Sequence, residues 1–200
     1  MYYLRKCGFT QYTHNVLVPG SNPGGPTMRM LKKYLNYFIK FFRSIRWYEI
    51  NNKRKIINIK KKNYKLVVLK SKKNIYDMKL DEYFKKYKFK LTRLNKKNYF
   101  LALINKRKIL SSGWIYFGLK WKITEIDKDV YLHSKLLLFD FETPAYLRNR
   151  GYYTLLLKMI RNKFLNKKLA IYSLSRNMPS CNAIEKAGFK FIREINGLRN

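Results

Sequence analysis

The residues best placed to do chemistry lie in one short loop, Arg148-Asn-Arg-Gly151. The apolar run 135–142 before it is typical of a strand, and the apolar spacing of residues 152–165 predicts a helix. The first N–H groups of a helix have no partner inside it, and the helix dipole places partial positive charge at the same end. A glycine there lets an anion approach the backbone closely. The loop therefore predicts a site for a phosphate or diphosphate.

A second group of polar residues follows the next apolar run, 169–174. It begins with Asn177-Met-Pro-Ser180 and continues with Glu185-Lys-Ala-Gly-Phe189. The predicted elements thus follow in the order strand, basic loop, helix, strand and helix.

These two segments carry a resemblance to a known family. Arg148-Asn-Arg-Gly151-Tyr-Tyr153 resembles the Arg/Gln-x-x-Gly-x-Gly/Ala loop of the GCN5-related N-acetyltransferase (GNAT) superfamily, and Asn177…Ser180…Glu185-Lys-Ala-Gly-Phe189 resembles the second half of its acetyl-CoA site. The resemblance covers about residues 99–195. Tyr153 departs from the pattern, because the family often has Gly or Ala there. The spacing from Pro144 to Gly151 is also one residue longer than usual.

The resemblance implies an acetyl-CoA site. Backbone amides of the loop and first helical turn would hold the diphosphate, and a backbone N–H near Phe139 and Phe141 would polarise the thioester carbonyl. Asn177 would bond the pantetheine or order a water, and Ser180 would cap its helix; capping alone is the alternative for both. The loop residues concerned are Arg148, Asn149, Arg150, Gly151, Tyr152, Tyr153 and Thr154.

Transfer of an acetyl group to an amine also needs proton transfers. Glu142 and Asp140 are the carboxylates near the expected sulfur position, and we rank Glu142 first as the base because the strand end opens toward the acceptor. A solvated turn carboxylate is the alternative, and His133 is either a relay or structural. Ile184 stands where many members have an acid tyrosine. Tyr172 and Tyr146 are possible substitutes.

The charge of the chain is extreme. It carries 45 Lys and Arg against 11 Asp and Glu, a net charge of +34, and 27 of the basic residues lie in residues 28–110. Such an excess attracts nucleic acid or anionic membrane surfaces. The alternative is compositional drift, because the abundant Lys, Asn, Ile, Tyr and Phe all have AT-rich codons.

The chain shows no sign of secretion or membrane insertion. Cys7 and Cys181 lie far apart without metal-like spacing, which favours a reducing, cytoplasmic setting. The sequence has neither a run of eighteen apolar residues nor a small-residue cleavage site. We predict a cytoplasmic protein with access to membrane surfaces.

Three parts are predicted along the chain. Residues 1–27 are expected to form a disordered leader. Gly20-Ser-Asn-Pro23 is what a tRNA T-arm sequence encodes, so either translation begins at Met28 or Met30 or this is an ordinary flexible leader. Residues 28–47 predict a basic amphipathic helix that docks on the domain or on a membrane, and a lysine-rich connector continues to residue 62. The acetyltransferase domain is predicted over 63–200.

The fold class predicted is α+β, a GNAT-like mixed, mostly antiparallel twisted sheet with helices on both faces. Strands are expected at 64–70, 99–104, 109–117 and 135–142, with one or two more pieces in 122–133 and a helix in 77–87. Only five residues follow residue 195, whereas the family usually has another strand closing the acceptor side. Either that strand is absent or the acceptor site is unusually open.

Two functions remain in competition on the sequence alone. The first is an acetyl-CoA-dependent N-acetyltransferase acting on a small-molecule primary amine; an amino sugar is suggested, since the wording of residues 141–153 resembles relatives associated with bacterial surface sugars. The second is a non-catalytic GNAT-like module that binds RNA or an anionic membrane through its basic N-terminal half.

Overall fold

The computed structural model describes residues 35, 43–53, 63–71, 92–106 and 108–197. Nine strands and two α-helices occur within these residues. The strands are β1 Ser44–Asn51, β2 Tyr64–Leu69, β3 Asn98–Asn105, β4 Lys108–Tyr116, β5 Lys120–Ile123, β6 Lys128–Tyr131, β7 Leu136–Glu142, β8 Lys168–Leu174 and β9 Lys190–Asn196; the helices are α1 Tyr152–Lys163 and α2 Met178–Lys186.

Seven of these strands form one mixed sheet in the order β2-β3-β4-β7-β8-β1-β9. Every neighbouring pair is antiparallel except β7 and β8, which are parallel because α1 crosses over between them. The strands predicted at 64–70, 99–104, 109–117 and 135–142 are confirmed. The α+β class and the mixed, mostly antiparallel sheet are confirmed with them, but the two described helices lie on one face of the sheet and not on both.

The N-terminal part of the sheet corrects the sequence prediction. Residues 44–47 were expected to end a helix, but they begin β1, in which Ile45 and Tyr48 are fully buried. The helical spacing of apolar residues in the preceding segment runs on into β1, where buried and partly exposed residues alternate. The spacing alone therefore did not show where the predicted helix gives way to a strand. The sheet therefore begins before residue 63. Residues 1–34, 36–42, 54–62 and 72–91, with the leader, most of the basic helix and the helix at 77–87, lie outside the described residues.

Strand β1 also answers the question of the short carboxyl end. It lies between β8 and β9 and is antiparallel to both, with Trp47 opposite Tyr172 on one side and Arg193 on the other. An amino-terminal strand thus bridges the last two strands of the chain. The sheet is thus extended beyond β8 by β1 and β9.

The two faces of the sheet carry different layers. Helices α1 and α2 share one face, where Leu156, Ile160 and Ile184 pack in one cluster with Tyr48, Leu138 and Ile171 of the sheet. On the opposite face, the separate β5–β6 hairpin packs through Ile123 and Val130 against Ile45, Leu137 and Ala170. The sheet is buried on both sides at β7 and β8, which explains their nearly continuous apolar sequences. Neither described helix has the length and apolar run needed to cross a bilayer.

The amide side chain of Asn52 links the end of β1 to the helical layer. Asn52, which is only 1% exposed, donates from Nδ2 to the carbonyl oxygens of Arg161 and of Phe164, the latter at 3.0 Å. These carbonyls lie at the carboxyl end of α1, where no intrahelical N–H is available to them. The side chain of Asn52 thus caps the helix and anchors the amino-terminal strand.

We expect Asn52→Ala to lower the free energy of unfolding by about 1–3 kcal/mol, because Arg161 O would lose its donor and Phe164 O would keep only the Lys167 N–H. Urea unfolding followed by circular dichroism measures the change. The exposed neighbour Asn51→Ala is the matched control and should change stability by less than about 0.5 kcal/mol. Equal losses for both variants would contradict the capping role.

Candidate active site

A slot opens in the middle of the sheet where β7 and β8 separate. The two strands pair only near their beginnings, Leu136 with Leu169, Leu137 with Ala170 and Leu138 with Ile171. Beyond these pairs lies a cavity of about 520 Å³ lined from both faces of the sheet. On the helix face it is lined by Phe141, Tyr153, Asn177 and Ser180, and on the hairpin face by Trp121, Lys122, Glu125 and Tyr172.

A β-bulge in β7 forms one wall of the slot. From Phe139 to Glu142 the strand takes three steps, while its partner β4 takes two from Trp114 to Ser112. The extra residue is Asp140, with φ 49°, a left-handed conformation that aspartate tolerates better than most residues. As a result Phe139 packs with Trp114 and Trp121, while Phe141 joins the helix-side cluster. The bulge lies where a backbone N–H was predicted to face the thioester.

A glycine in β4 makes room for this bulge. A Cβ atom built on Gly113 would lie 2.4 Å from two ring carbons of Phe141. Real Cβ atoms do not approach a ring so closely, so any side chain at this position would displace the phenylalanine. Gly113 therefore allows Phe141 to lie flat across β4 and to line the slot.

The loop before α1 has the predicted anion-binding geometry. Asn149 and Gly151 both have positive φ, 60° and 74°, and a Cβ on Gly151 would meet no atom within 4 Å. The Arg148 N–H donates to Ala145 in the preceding 3₁₀ turn. Within the part of the chain that the structure describes, the N–H groups of 149–154 have no hydrogen-bond partner. Six amide donors at the positive end of α1 thus lack a partner among the described residues.

Tyr153 does not block this loop. Its ring lies 5.2 Å from that of Phe141 and lines the slot beside Ser180, so it turns toward the space between β7 and β8. Burial raises the pKa of its phenol above the ordinary value, and the neighbouring Ser180 hydroxyl opposes this in part. The tyrosine that departs from the family pattern is therefore a protonated side chain inside the slot.

The start of α2 corrects the predicted capping. Asn177, not Ser180, is the N-cap, because its Oδ1 accepts from the Ser180 N–H at 3.3 Å. Ser180 keeps its hydroxyl on the slot side, close to Tyr153. Thr154 donates its hydroxyl to Ala183 O at 3.4 Å, so only its amide is turned to the loop. Both polar residues predicted from the second motif line the slot.

Of the two carboxylates predicted for the site, Asp140 lines the slot and Glu142 does not, which reverses the predicted ranking. Asp140 lines the slot in an ion pair with Arg93, 2.5 Å from Nη1 to Oδ2. Glu142, which the sequence ranked first, ends β7 with its carbonyl accepting from Ser111, and it is not among the described residues that line the slot. His133 is exposed just before β7 begins, at the far end of that strand. The predicted relay is therefore not at the site.

Glu125 is the slot carboxylate that the sequence analysis missed. It lies in the β5–β6 turn, beside the slot-lining Tyr172. Burial first, and then the Glu125 charge, raise the pKa of the Tyr172 phenol. The Trp121 indole donates to the same hydroxyl at 3.4 Å. No sequence signal marked Glu125, because a separate hairpin brings it to the sheet.

Of the two tyrosines proposed as acids, one lies in the slot and the other on the surface. Tyr172 lines the slot, whereas Tyr146 is 72% exposed on the 3₁₀ turn and does not line it among the described residues. Ile184, at the family's tyrosine position, is fully buried between α2 and the sheet. Tyr153, which the sequence treated only as a departure from the loop pattern, is the second phenol in the slot.

Comparisons with known proteins agree with the fold. No protein-family model and no curated protein matches the chain. A conserved protein of unknown function from Staphylococcus epidermidis has a TM-score of 0.54 at 10% identity, over 86% of this chain and 66% of its own. This likeness shows a shared fold.

Two further solved structures are similar at lower scores. A GNAT-family acetyltransferase from Colwellia psychrerythraea has a TM-score of 0.43 and 16% identity, over 76% of this chain and 53% of its own. An aminoglycoside acetyltransferase from an uncultured soil sample, in complex with trehalose, has a TM-score of 0.47 and 10% identity, over 70% of this chain and 97% of its own. The chain thus spans about half to two thirds of the first two proteins.

We expect Gly113→Ala to destabilise the protein by about 1–3 kcal/mol, because its methyl group would displace the Phe141 ring. A double-mutant cycle with Phe141→Ala tests this contact by urea unfolding. In the Phe141→Ala background the same glycine substitution should be neutral or stabilising, since alanine is preferred to glycine in a strand. Identical costs in both backgrounds would show that the ring is not the cause.

Proposed function

We propose that the protein is an acyltransferase that moves an acetyl group from acetyl-CoA to a primary amine. The observation that carries this proposal is the row of unpartnered amides at the start of α1, next to a slot between two separating strands. The amides suit a diphosphate, and the slot suits a thin chain passing through the sheet. Acetyl-CoA has a diphosphate and a thin pantetheine chain in this order.

The residues present fit such a donor. Open space at Gly151 leaves room for phosphate oxygens against the backbone, and Arg150, which is exposed, adds positive charge beside them. The Arg148 guanidinium donates from Nε to Thr143 O at 3.2 Å, which leaves its terminal nitrogens to the loop. Asn177 and Ser180 provide polar groups along the slot. When bound, the donor supplies an activated acetyl thioester.

The two faces of the slot suggest two sides for the reaction. The loop, α1 and α2 lie on the helix face, so the donor would enter there. The amine would then approach from the hairpin face, where Glu125, Asp140 and Tyr172 line the slot. An ammonium must lose a proton before it can attack. Since Asp140 is held in an ion pair by Arg93, we assign proton removal to Glu125.

A phenol is also available for the departing thiolate. Tyr153 lies on the donor side of the slot, and a phenol is protonated at neutral pH. Its position would let it donate a proton to the sulfur without a tyrosine at the position of Ile184, although burial, which raises its pKa, makes it a weaker acid. Coenzyme A thiolate is already a good leaving group, so this contribution is expected to be modest.

For the acceptor we propose an amino sugar, because the sequence of residues 141–153 resembles that of relatives associated with bacterial surface sugars. Lys122 and Arg93, which lie beside the carboxylates, would suit an acceptor that carries a phosphate. The alternative, a non-catalytic module binding RNA or an anionic membrane, is separated from the enzyme by donor binding and turnover.

We expect coenzyme A at about 100 times its dissociation constant to stabilise the protein by roughly 2.7 kcal/mol. For a chain of this length the midpoint of thermal unfolding should then rise by roughly 5–11 °C. Differential scanning fluorimetry with increasing coenzyme A measures the shift. Pantetheine, which lacks the diphosphate, is the control and should give little or none.

A variant links this shift to the loop. Gly151→Ala should cost only about 1–2 kcal/mol in stability, because no neighbour is met and only the left-handed backbone is strained. It should nevertheless weaken coenzyme A binding about tenfold or more, since the methyl group enters the open space before the amides. A wild-type protein unchanged by millimolar coenzyme A would favour the binding-module alternative.

We expect Glu125→Gln to lower kcat/KM for the best amine of an amino-sugar and polyamine panel by about 10²–10⁴-fold, the usual contribution of a general base. Thiol release from acetyl-CoA measures the rate. Glu142→Gln, which changes the same group on β7, is the matched control and should retain activity within a few-fold. The opposite ranking would return the base to Glu142.

A further inference from the structure

A second pocket lies at the end of the sheet opposite the slot. Its volume is about 810 Å³, and it lies where β1 ends and where β7, β8 and β9 begin. We call it the basic pocket. The charged residues that line it are Lys53, Lys135, Arg161, Lys168, Lys190 and Glu49.

Each of four strand ends supplies one lysine to this pocket. Lys53 follows β1, Lys135 precedes β7, and Lys168 and Lys190 are the first residues of β8 and β9. Since β1 separates β8 from β9, the backbones of Lys168 and Lys190 lie about 10 Å apart across the sheet and are offset by two residues along it. This convergence results from the strand order, because these residues are widely spaced in the sequence.

The pocket contains far more positive than negative charge. Glu49 is its one carboxylate among the described residues, and it already binds Lys135 Nζ at 2.9 Å and accepts from the Trp47 indole at 2.8 Å. The other four cations have no carboxylate partner within the described part of the chain. Cations gathered in a concave site repel one another and attract a multivalent anion.

Arg161 is a partly buried cation of the basic pocket whose hydrogen-bond donors are only partly satisfied. Its Nη1 donates to Ala187 O beside Gly188, where a Cβ would lie 2.3 Å from that nitrogen, so the guanidinium is held in place. Its Nε is buried with no hydrogen-bond partner in the described residues. Burial also lowers the pKa of the guanidinium. An anion in the pocket would relieve this unfavourable burial.

We infer that the basic pocket binds a ligand carrying more than one phosphate group, at a site separate from the slot. Phosphates match a fixed guanidinium flanked by several lysines, because both kinds of side chain form charge-assisted hydrogen bonds with phosphate oxygens. The phosphates belong either to a small phosphorylated molecule or to a nucleic-acid backbone. The site is independent of the proposed acyl transfer.

The test compares charge reversals at two ends of one sheet in the full chain. Tripolyphosphate is titrated by calorimetry and a fluorescein-labelled short single-stranded RNA by anisotropy, both with saturating coenzyme A. Lys168→Glu/Lys190→Glu should weaken tripolyphosphate binding about tenfold or more and reduce the salt dependence. Loss of RNA binding in parallel identifies a nucleic-acid backbone, and tripolyphosphate binding alone identifies a small ligand.

Two control pairs keep the inference falsifiable. Lys65→Glu/Lys106→Glu changes the net charge equally at the β2–β3 edge and should leave binding within about twofold. Arg148→Gln/Arg150→Gln removes charge from the loop before α1 and should also leave tripolyphosphate binding unchanged. Equal weakening by either control pair, or no tripolyphosphate binding by the wild type, overturns the inference. If the Lys168→Glu/Lys190→Glu variant does not fold, the neutral variant Lys168→Gln/Lys190→Gln takes its place.

Discussion

The site depends on the early end of pairing between β7 and β8. Parallel strands normally continue side by side, because an unpaired backbone group in the interior is costly. Here the β7 bulge at Asp140 turns the strand away after three paired residues, and the opening it leaves is lined by side chains from both layers. The bulge is possible because Gly113 on the neighbouring strand has no side chain, and the Phe141 ring occupies the space that this leaves. Loop, slot and carboxylates all take their positions from this separation.

The same separation explains why the slot has two chemically different mouths. The helix face presents partial positive charge, because the unpartnered amides before α1 and the amino-terminal end of α2 lie there. On the hairpin face the slot has carboxylates and a phenol, brought by β7, β8 and the β5–β6 turn. A diphosphate would meet the amides on the helix face, and an ammonium group would meet Glu125 on the hairpin face, where Asp140 is already paired with Arg93. The sheet keeps the two apart except at the opening.

Strand β1 joins an early and a late part of the described chain in one sheet. It hydrogen-bonds to β8 and β9, and Asn52 at its end caps α1. The opposite end of the sheet is therefore as constrained as the slot, and the lysines at four strand ends have no freedom to move far apart. The excess charge of the sequence is thus concentrated at a defined place, the basic pocket, as well as spread over the surface.

The sequence by itself determined the local features: the sheet strands other than β1, the helix after Gly151, the loop that presents amides, and the polar start of α2. These depend on periodicity, on a glycine and on capping residues, which act over a few positions. Only the tertiary structure placed β1 between β8 and β9, brought Glu125 to the slot in preference to Glu142, and turned Tyr153 into it. Those positions depend on strand order, on one extra residue in β7 and on a hairpin packed from the other face. Such contacts join residues far apart in the chain, and no short pattern records them.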